Sequence, residues 1–147
     1  MDFKNYINQK KELQNLIYSY LESSESPEYD FQHLIDFIKS QKFQENKEEL
    51  IYVLRIILNI SNNYHRDQNF KERIKNIILF FSDSIKQTFS NFNIFKFFQS
   101  NKMVLLLLVE SKILIIDEKI FNEFQKSDTY QTNYCQFFYL EVKSFMN

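Results

Sequence analysis

The chain has 147 residues and a formal net charge of −1, with 17 phenylalanines and 9 tyrosines but no glycine and no alanine. Because glycine is the default residue where a backbone takes positive φ or approaches a ligand closely, its absence argues against phosphate-cradling loops, dinucleotide fingerprints and nucleophile elbows. The near-zero charge gives no basic surface for nucleic acid or anionic lipid.

Length and composition predict a single cytoplasmic domain over residues 1–147. The N-terminus has no apolar stretch of the kind found in a secretory signal. A membrane span needs about 20 apolar residues, and the longest apolar run, Met103–Val109, is far shorter. The only cysteine, Cys135, excludes an internal disulfide and fits a reducing compartment. We therefore expect no membrane span.

The first predicted helix ends at the most loop-like segment of the chain, residues 22–29. Before this segment, apolar residues recur at helical spacing at Leu13, Leu16, Ile17, Tyr20 and Leu21. The segment itself is acidic and rich in serine, and it holds the only proline, Pro27. Asp30 is then placed to cap a short helix that runs through Ile38.

The third predicted helix, from about residue 47 to residue 61, is the most buried one. Asn46 and Glu49 resemble a capping box at its start. Its polar residues occupy one narrow stripe and its apolar residues cover the rest, which is typical of a helix that lies between neighbours. Leu54 is predicted to be in the core.

The fourth predicted helix has the opposite character, because its apolar residues form a single face. They are Phe70, Ile74, Ile77, Ile78, Phe81 and Ile85. Charged residues, among them Arg73 and Lys75, are predicted outside this face. The pattern predicts an amphipathic helix that flanks solvent.

Short helices are predicted in the C-terminal half, the first near Asn91–Phe98. The second, Asn101–Ser111, is apolar all round, which places Leu106 in the core. Residues 113–116 could form a strand, but no second alternating segment is available to pair with it. One further helix is predicted from Asp117 or Glu118 through Phe124, and a last one from Asp128 or Thr129.

The densest group of polar residues lies between two predicted helices, at Asn62, Asn63, His65 and Arg66. His65 together with Asp67 has the chemistry to bind a metal or to move a proton. A metal site usually needs three or four ligands, and the chain has neither a Cys/His cluster nor a His-Glu-x-x-His pattern. A helix–helix turn whose Asn side chains cap backbone groups explains these residues better. We therefore predict no catalytic residue, no metal ligand and no cofactor.

Four phenylalanines, Phe92, Phe95, Phe97 and Phe98, occupy several faces of one short predicted helix. Apolar clusters usually mark a core, and only large exposed clusters mark a partner surface. Core packing is therefore favoured, and partial exposure is the alternative.

Four segments carry a resemblance to known proteins: Ile60–Arg66, Phe89–Phe95, Ser100–Lys112 and Ile116–Glu118. Together they resemble the helical N-terminal region of large protist families of ankyrin-repeat proteins. The resemblance covers roughly residues 48–145. No catalytic or binding residue is carried over from it.

The helical spacing along the chain predicts an all-α fold, an irregular array of helical hairpins with about seven helices. The resemblance adds an ankyrin- or α-solenoid-like arrangement towards the C-terminal half. Met103–Ile116 looks like the second helix of an ankyrin repeat running into its loop, with Ser111-Lys112 where a glycine turn is usual. The chain departs from the ankyrin pattern in three respects. It has no Thr-Pro-Leu-His motif and no period of about 33 residues, and it stops before repeats would begin.

For function, the sequence leads us to expect a non-catalytic domain for protein–protein interaction, or for capping of an ankyrin-type solenoid. Its partners would be other proteins or downstream ankyrin repeats, and it would self-associate through an apolar surface. That predicted surface consists of Phe121, Phe124, Phe137, Phe138 and Phe145. The alternative is a small helical-bundle enzyme or ligand-binding domain, and a concave site with converging polar groups would distinguish it.

Overall fold

A computed structural model describes residues 3–22, 25–41, 47–63, 67–99, 101–119 and 122. Over these residues the chain is helical and contains no strand, which confirms the predicted all-α class. The helices are α1 (Phe3–Glu22), α2 (Pro27–Gln41), α3 (Lys47–Asn63), α4 (Gln68–Phe80), α5 (Ser82–Thr88), α6 (Asn91–Phe97) and α7 (Lys102–Glu110). No helix in this part of the chain is long and apolar enough to cross a membrane.

The chain divides into two compact units, Met1–Ile77 and Ile78–Asn147. The first unit holds α1, α2, α3 and most of α4, and the second holds the end of α4 together with α5, α6 and α7. The expected organisation as one domain over residues 1–147 stays a prediction.

In the first unit, α1 packs against α2 and α3 along the face that its apolar spacing predicts. Leu13, Ile17 and Tyr20 are all buried. Tyr52 ties α3 to α1, because its hydroxyl donates to the main-chain oxygen of Lys10 at 3.2 Å. The Lys10 ammonium also lies 4.9 Å from the centre of the Tyr52 ring, within cation–π range.

The second helix begins at Pro27 and not after the predicted cap, Asp30. The main-chain oxygen of Ser26 accepts the Asp30 N–H at 3.0 Å, so helical hydrogen bonding starts one residue before Pro27. Proline suits the first helical position, because the N–H that it lacks would have no intrahelical partner there. Residue 22 and residues 27–29, which the sequence predicts as part of a loop, are therefore helical.

The third helix is apolar on nearly all sides, as predicted. Its buried apolar residues are Leu50, Val53, Leu54, Ile56, Ile57 and Ile60. Glu49 is buried as well, with 5% of its surface exposed, and its Oε2 atom has no hydrogen-bond partner among the described residues. An unsatisfied buried polar group of this kind costs about 1–3 kcal/mol. Asn46, the other half of the predicted capping box, lies outside the described residues.

The apolar face predicted for one helix over residues 70–85 is buried, but it belongs to two helices. The first ends at Phe80 and the second begins at Ser82, with Phe81 (φ −91°, ψ 4°) between them. Serine and aspartate compete with helical hydrogen bonding in a helix interior and favour the first turn. Ser82 and Asp83 therefore start a new helix where the apolar spacing alone predicts continuity.

In the second unit, α6 and α7 both begin with a side-chain cap. Ser90 accepts the Asn93 N–H at 3.1 Å at the start of α6. The Asn101 Oδ1 atom accepts the Val104 N–H at 3.1 Å at the start of α7. Asn101 is fully buried, so this cap is part of the core and satisfies a helical N–H where water has no access.

The seventh helix is apolar on most of its surface, as predicted, but Leu106 is only half-buried. Lys102 and Glu110 are exposed one turn before and one turn after it, so these three residues form the outer stripe of the helix. Leu105, on another face, is fully buried. The placement of Leu106 in the core is therefore wrong, because a run of consecutive leucines does not reveal which leucine faces outwards.

Lys75 of α4 is also half-buried, although the sequence predicts it outside the apolar face of that helix.

A left-handed residue that is not glycine ends α7. Lys112 has φ 60°, the one positive φ in the described part of the chain. Its N–H donates to the Val109 oxygen at 3.0 Å, and the Ile113 N–H donates to the Leu108 oxygen at 2.9 Å. These two bonds define a Schellman motif, a helix ending in which glycine usually takes the left-handed position.

The segment after α7 forms no strand. The Ile115 N–H instead donates to the Asn91 Oδ1 atom at 3.2 Å, which fixes the segment to the start of α6. Ile113, Leu114 and Ile116 are buried, whereas Ile115 is 55% exposed. Residues 118, 119 and 122 of the next predicted helix are helical. The rest of that helix, and the last predicted helix with Cys135, lie outside the described residues.

We expect the two neighbouring leucines of α7 to differ in their contribution to stability. Leu105→Ala should lower the free energy of unfolding by ~2–5 kcal/mol, because it leaves a cavity in the core. Leu106→Ala should cost only about 1 kcal/mol, because much of this side chain is already in water. Urea denaturation of both variants measures the difference, and equal losses would contradict the burial described here.

Replacing Lys112 by glycine should stabilise the protein. Glycine adopts positive φ without steric cost, so Lys112→Gly should raise the free energy of unfolding by about 1 kcal/mol. Lys96→Gly, at an exposed position inside α6, is the matched control and should lower it by about 1 kcal/mol. Thermal unfolding reports both signs, and a loss of stability in Lys112→Gly would contradict the left-handed ending.

Candidate functional site

The polar residues that the sequence groups between two helices are only partly described. Asn62 and Asn63 form the last turn of α3, and Asn62 is exposed. His65 and Arg66 lie outside the described residues. Asp67 caps α4, because its Oδ1 atom accepts the Phe70 N–H at 2.8 Å. Among the described residues, no group of three or more His, Cys, Asp or Glu side chains is placed to hold a metal.

The predicted interaction surface of Phe121, Phe124, Phe137, Phe138 and Phe145 also lies outside the described residues, and it stays a prediction. The four phenylalanines near α6 are described. Phe95 and Phe98 are buried, and Phe92 and Phe97 are half-buried. The Phe97 and Phe98 rings meet edge-to-face with their centres 4.8 Å apart, so this cluster belongs mainly to the core of the second unit.

The first unit contains a cleft of about 260 Å³ that sequence reasoning missed, and we refer to it as the Tyr20 cleft. Tyr20 comes from the last turns of α1, whereas Pro27, Glu28 and Phe31 come from the start of α2. The α4 helix adds Asn69, Glu72, Arg73 and Asn76. These four residues lie at spacings of three or four positions, which places them on one helical face beside the buried apolar face.

Tyr20 is the most buried residue that lines the cleft. It is only 2% exposed, and its ring lies 5.0 Å from that of Phe31. Its hydroxyl accepts a hydrogen bond from the Asn76 Nδ2 atom at 3.0 Å. Burial raises the pKa of Tyr20 above its ordinary value of 10.0, while the Asn76 hydrogen bond and the charge of Arg73 act in the opposite direction.

Arg73 joins α4 to the end of α1. Its Nη1 atom donates to the main-chain oxygens of Tyr20 and Leu21, each at 3.4 Å. The last carbonyl groups of a helix have no intrahelical partner and carry the negative end of the helix dipole, so a guanidinium is a favourable partner for them. Arg73 lies outside the buried apolar face of α4, as predicted, but it is half-buried and not fully exposed.

Two carboxylates, Glu28 and Glu72, complete the charged groups of the cleft, and both residues are exposed. The Gln68 Nε2 atom donates to the Glu72 Oε1 atom at 3.2 Å, one turn along α4. Glu28 lies in the first turn of α2, where its charge is favourable to the helix dipole. The cleft therefore combines one guanidinium, two carboxylates, two amides and one phenol with an apolar wall on α2.

A second, broader groove of about 540 Å³ lies along the last turns of α1. It is lined by Asn15, Tyr18, Ser19, Glu22 and Asp30. Ligand sites combine apolar walls with a few polar groups, and this groove has little apolar wall. The Tyr20 cleft is therefore the better candidate site.

Comparisons with known proteins find no relative for this chain. No protein-family model, no curated protein and no solved structure matches it. Neither the fold alone nor a similar protein provides an assignment.

The buried hydroxyl of Tyr20 should make stability sensitive to alkaline pH. Because its folded-state pKa is raised, Tyr20 contributes stability that is fully present below about pH 10 and is lost as the pH rises through the folded pKa. Tyr20→Phe removes this contribution, so its free energy of unfolding should fall less steeply above about pH 10 than that of the wild type.

At neutral pH, Tyr20→Phe should cost about 1 kcal/mol, because the Asn76 amide loses its acceptor. Tyr29→Phe, at a tyrosine that is 70% exposed, is the control and should leave the neutral-pH stability unchanged. Urea denaturation at several pH values provides both readings. Identical pH slopes for the wild type and Tyr20→Phe would contradict the burial of the hydroxyl.

Proposed function

We propose that this chain is a non-catalytic helical domain that acts in protein–protein interaction or caps an ankyrin-type solenoid. The observation that carries the proposal is the order of elements from α6 to residue 116. Two short helices are joined by a brief connection, and a Schellman ending and a non-helical segment follow. An ankyrin repeat consists of two helices and a turn, so this order supports the resemblance seen in the sequence.

Ile115 supports an interaction role for the segment after α7. Its main chain is fixed to α6 through Asn91, yet its side chain is 55% exposed. A large apolar side chain on an ordered segment can bind a partner without first losing conformational freedom. In the proposed assembly, Ile115 and the predicted surface of Phe121, Phe124, Phe137, Phe138 and Phe145 contact ankyrin repeats or another protein.

The second candidate function is a ligand-binding helical domain, and the Tyr20 cleft is the observation that favours it. Its volume of about 260 Å³ is below the roughly 300–1,000 Å³ of typical small-molecule pockets. An interaction role therefore remains the main proposal for the chain as a whole. The proposed location is the cytoplasm, which a single cysteine supports.

Sedimentation velocity at increasing protein concentration tests the interaction proposal. We expect the wild type to self-associate, because its apolar C-terminal surface lacks a partner in a solution of the purified chain. Ile115→Asp and a Phe138→Asp, Phe145→Asp double variant should each weaken this association. Ile7→Asp, at a 37%-exposed isoleucine of α1, is the matched control and should leave it unchanged.

Circular dichroism of the same samples separates loss of association from loss of folding. The proposal is contradicted if the wild type stays monomeric at all concentrations. It is also contradicted if Ile7→Asp weakens association as strongly as Ile115→Asp, because association would then not be specific to the C-terminal half.

A further inference from the structure

The Tyr20 cleft offers hydrogen-bond acceptors from two helices, α2 and α4. Glu28 and Glu72 supply carboxylate oxygens, and Asn69 supplies an amide oxygen. The Asn76 amide uses its Nδ2 atom as donor to the Tyr20 hydroxyl, which leaves its Oδ1 atom as an acceptor. These acceptors suit a ligand group that donates several hydrogen bonds.

The charges of the cleft favour the same class of ligand. The cleft is lined by two carboxylates and one guanidinium, so its walls carry an excess of negative charge. The positive charge of Arg73 is directed at the carbonyl oxygens of Tyr20 and Leu21, where the negative end of the α1 dipole offsets it. Glu28 and Glu72 come from different helices, and both are accessible from solvent.

The apolar wall lies on α2. Pro27 and the Phe31 ring form it, and Phe31 is held in place by its contact with the buried Tyr20 ring. This wall can cover a short aliphatic chain while the polar groups of α4 meet a charged end, as in ligand sites that combine apolar walls with a few placed polar groups.

We propose that the Tyr20 cleft binds a primary alkylammonium group. The N–H donors of the ammonium bond to Glu28, Glu72 and the Asn76 Oδ1 atom, and its alkyl stem packs on Pro27 and Phe31. The ligand is either a free amine or the side chain of a lysine, because both present the same chemistry to the cleft. This inference is independent of the C-terminal interaction surface.

The test is an NMR titration of the full ¹⁵N-labelled chain with n-butylammonium chloride at constant ionic strength. We expect saturable shifts at the side-chain amides of Asn69 and Asn76. Butyrate, with the opposite charge, should cause none of these shifts. Tetramethylammonium, which has the same charge but no N–H donor, should bind more weakly than n-butylammonium.

Isosteric variants connect binding to the two carboxylates. Glu28→Gln and Glu72→Gln should each weaken n-butylammonium binding about 1.5- to fivefold, the range expected when one exposed charged pair is removed. Glu110→Gln, at an exposed glutamate of the second unit, is the matched control and should bind as the wild type does. Unchanged backbone spectra away from the cleft will show that both variants fold.

A third ligand separates the two sources of the ammonium group. Nα-acetyl-lysine N-methylamide binding more tightly than n-butylammonium indicates a lysine of a protein partner, and equal affinity indicates a free amine. The proposal is overturned if the n-butylammonium shifts do not saturate or if tetramethylammonium binds equally well. Wild-type affinity in both Glu28→Gln and Glu72→Gln overturns it as well.

Discussion

The absence of glycine constrains the whole structure, because each helix must begin and end without the residue best suited to turns. Side-chain caps at Asp67, Ser90 and Asn101 start three of the helices. Proline starts another, at Pro27. Within the described residues, the backbone takes positive φ only at Lys112, where the Cβ atom makes this conformation sterically unfavourable. The connections are therefore held by specific side-chain contacts as well as by backbone geometry.

Much of the helical architecture follows from local patterns. The apolar spacing of α1 and the all-round apolar character of α3 and α7 predict their burial correctly, because these features depend on residues close together in sequence. The differences arise where several residues satisfy the same pattern. Four consecutive leucines do not show that Leu106 is the outer one, and continuous apolar spacing does not show the break at Phe81. The boundaries of a helix depend both on the packing of its apolar residues and on the residues that cap its ends.

The Tyr20 cleft could not be predicted in the same way. Its central contacts join Tyr20 to Arg73 and Asn76, residues more than 50 positions away, so no local pattern contains them. The sequence did offer one signal, the polar residues of α4 at spacings of three or four positions next to its apolar face. That signal is also typical of a solvated helix surface, and only the position of α1 distinguishes the two.

The link between Arg73 and the last carbonyl groups of α1 bears on how the first unit opens. The end of a helix normally frays on its own, because few contacts hold its final turn. Here the final turn of α1 can unfold only if its hydrogen bonds to Arg73 break as well. The hydrogen bond between Asn76 and Tyr20 joins the same two helices. The end of α1 and the face of α4 therefore form one cooperative unit, and amide protons at the end of α1 should exchange together with those of α4.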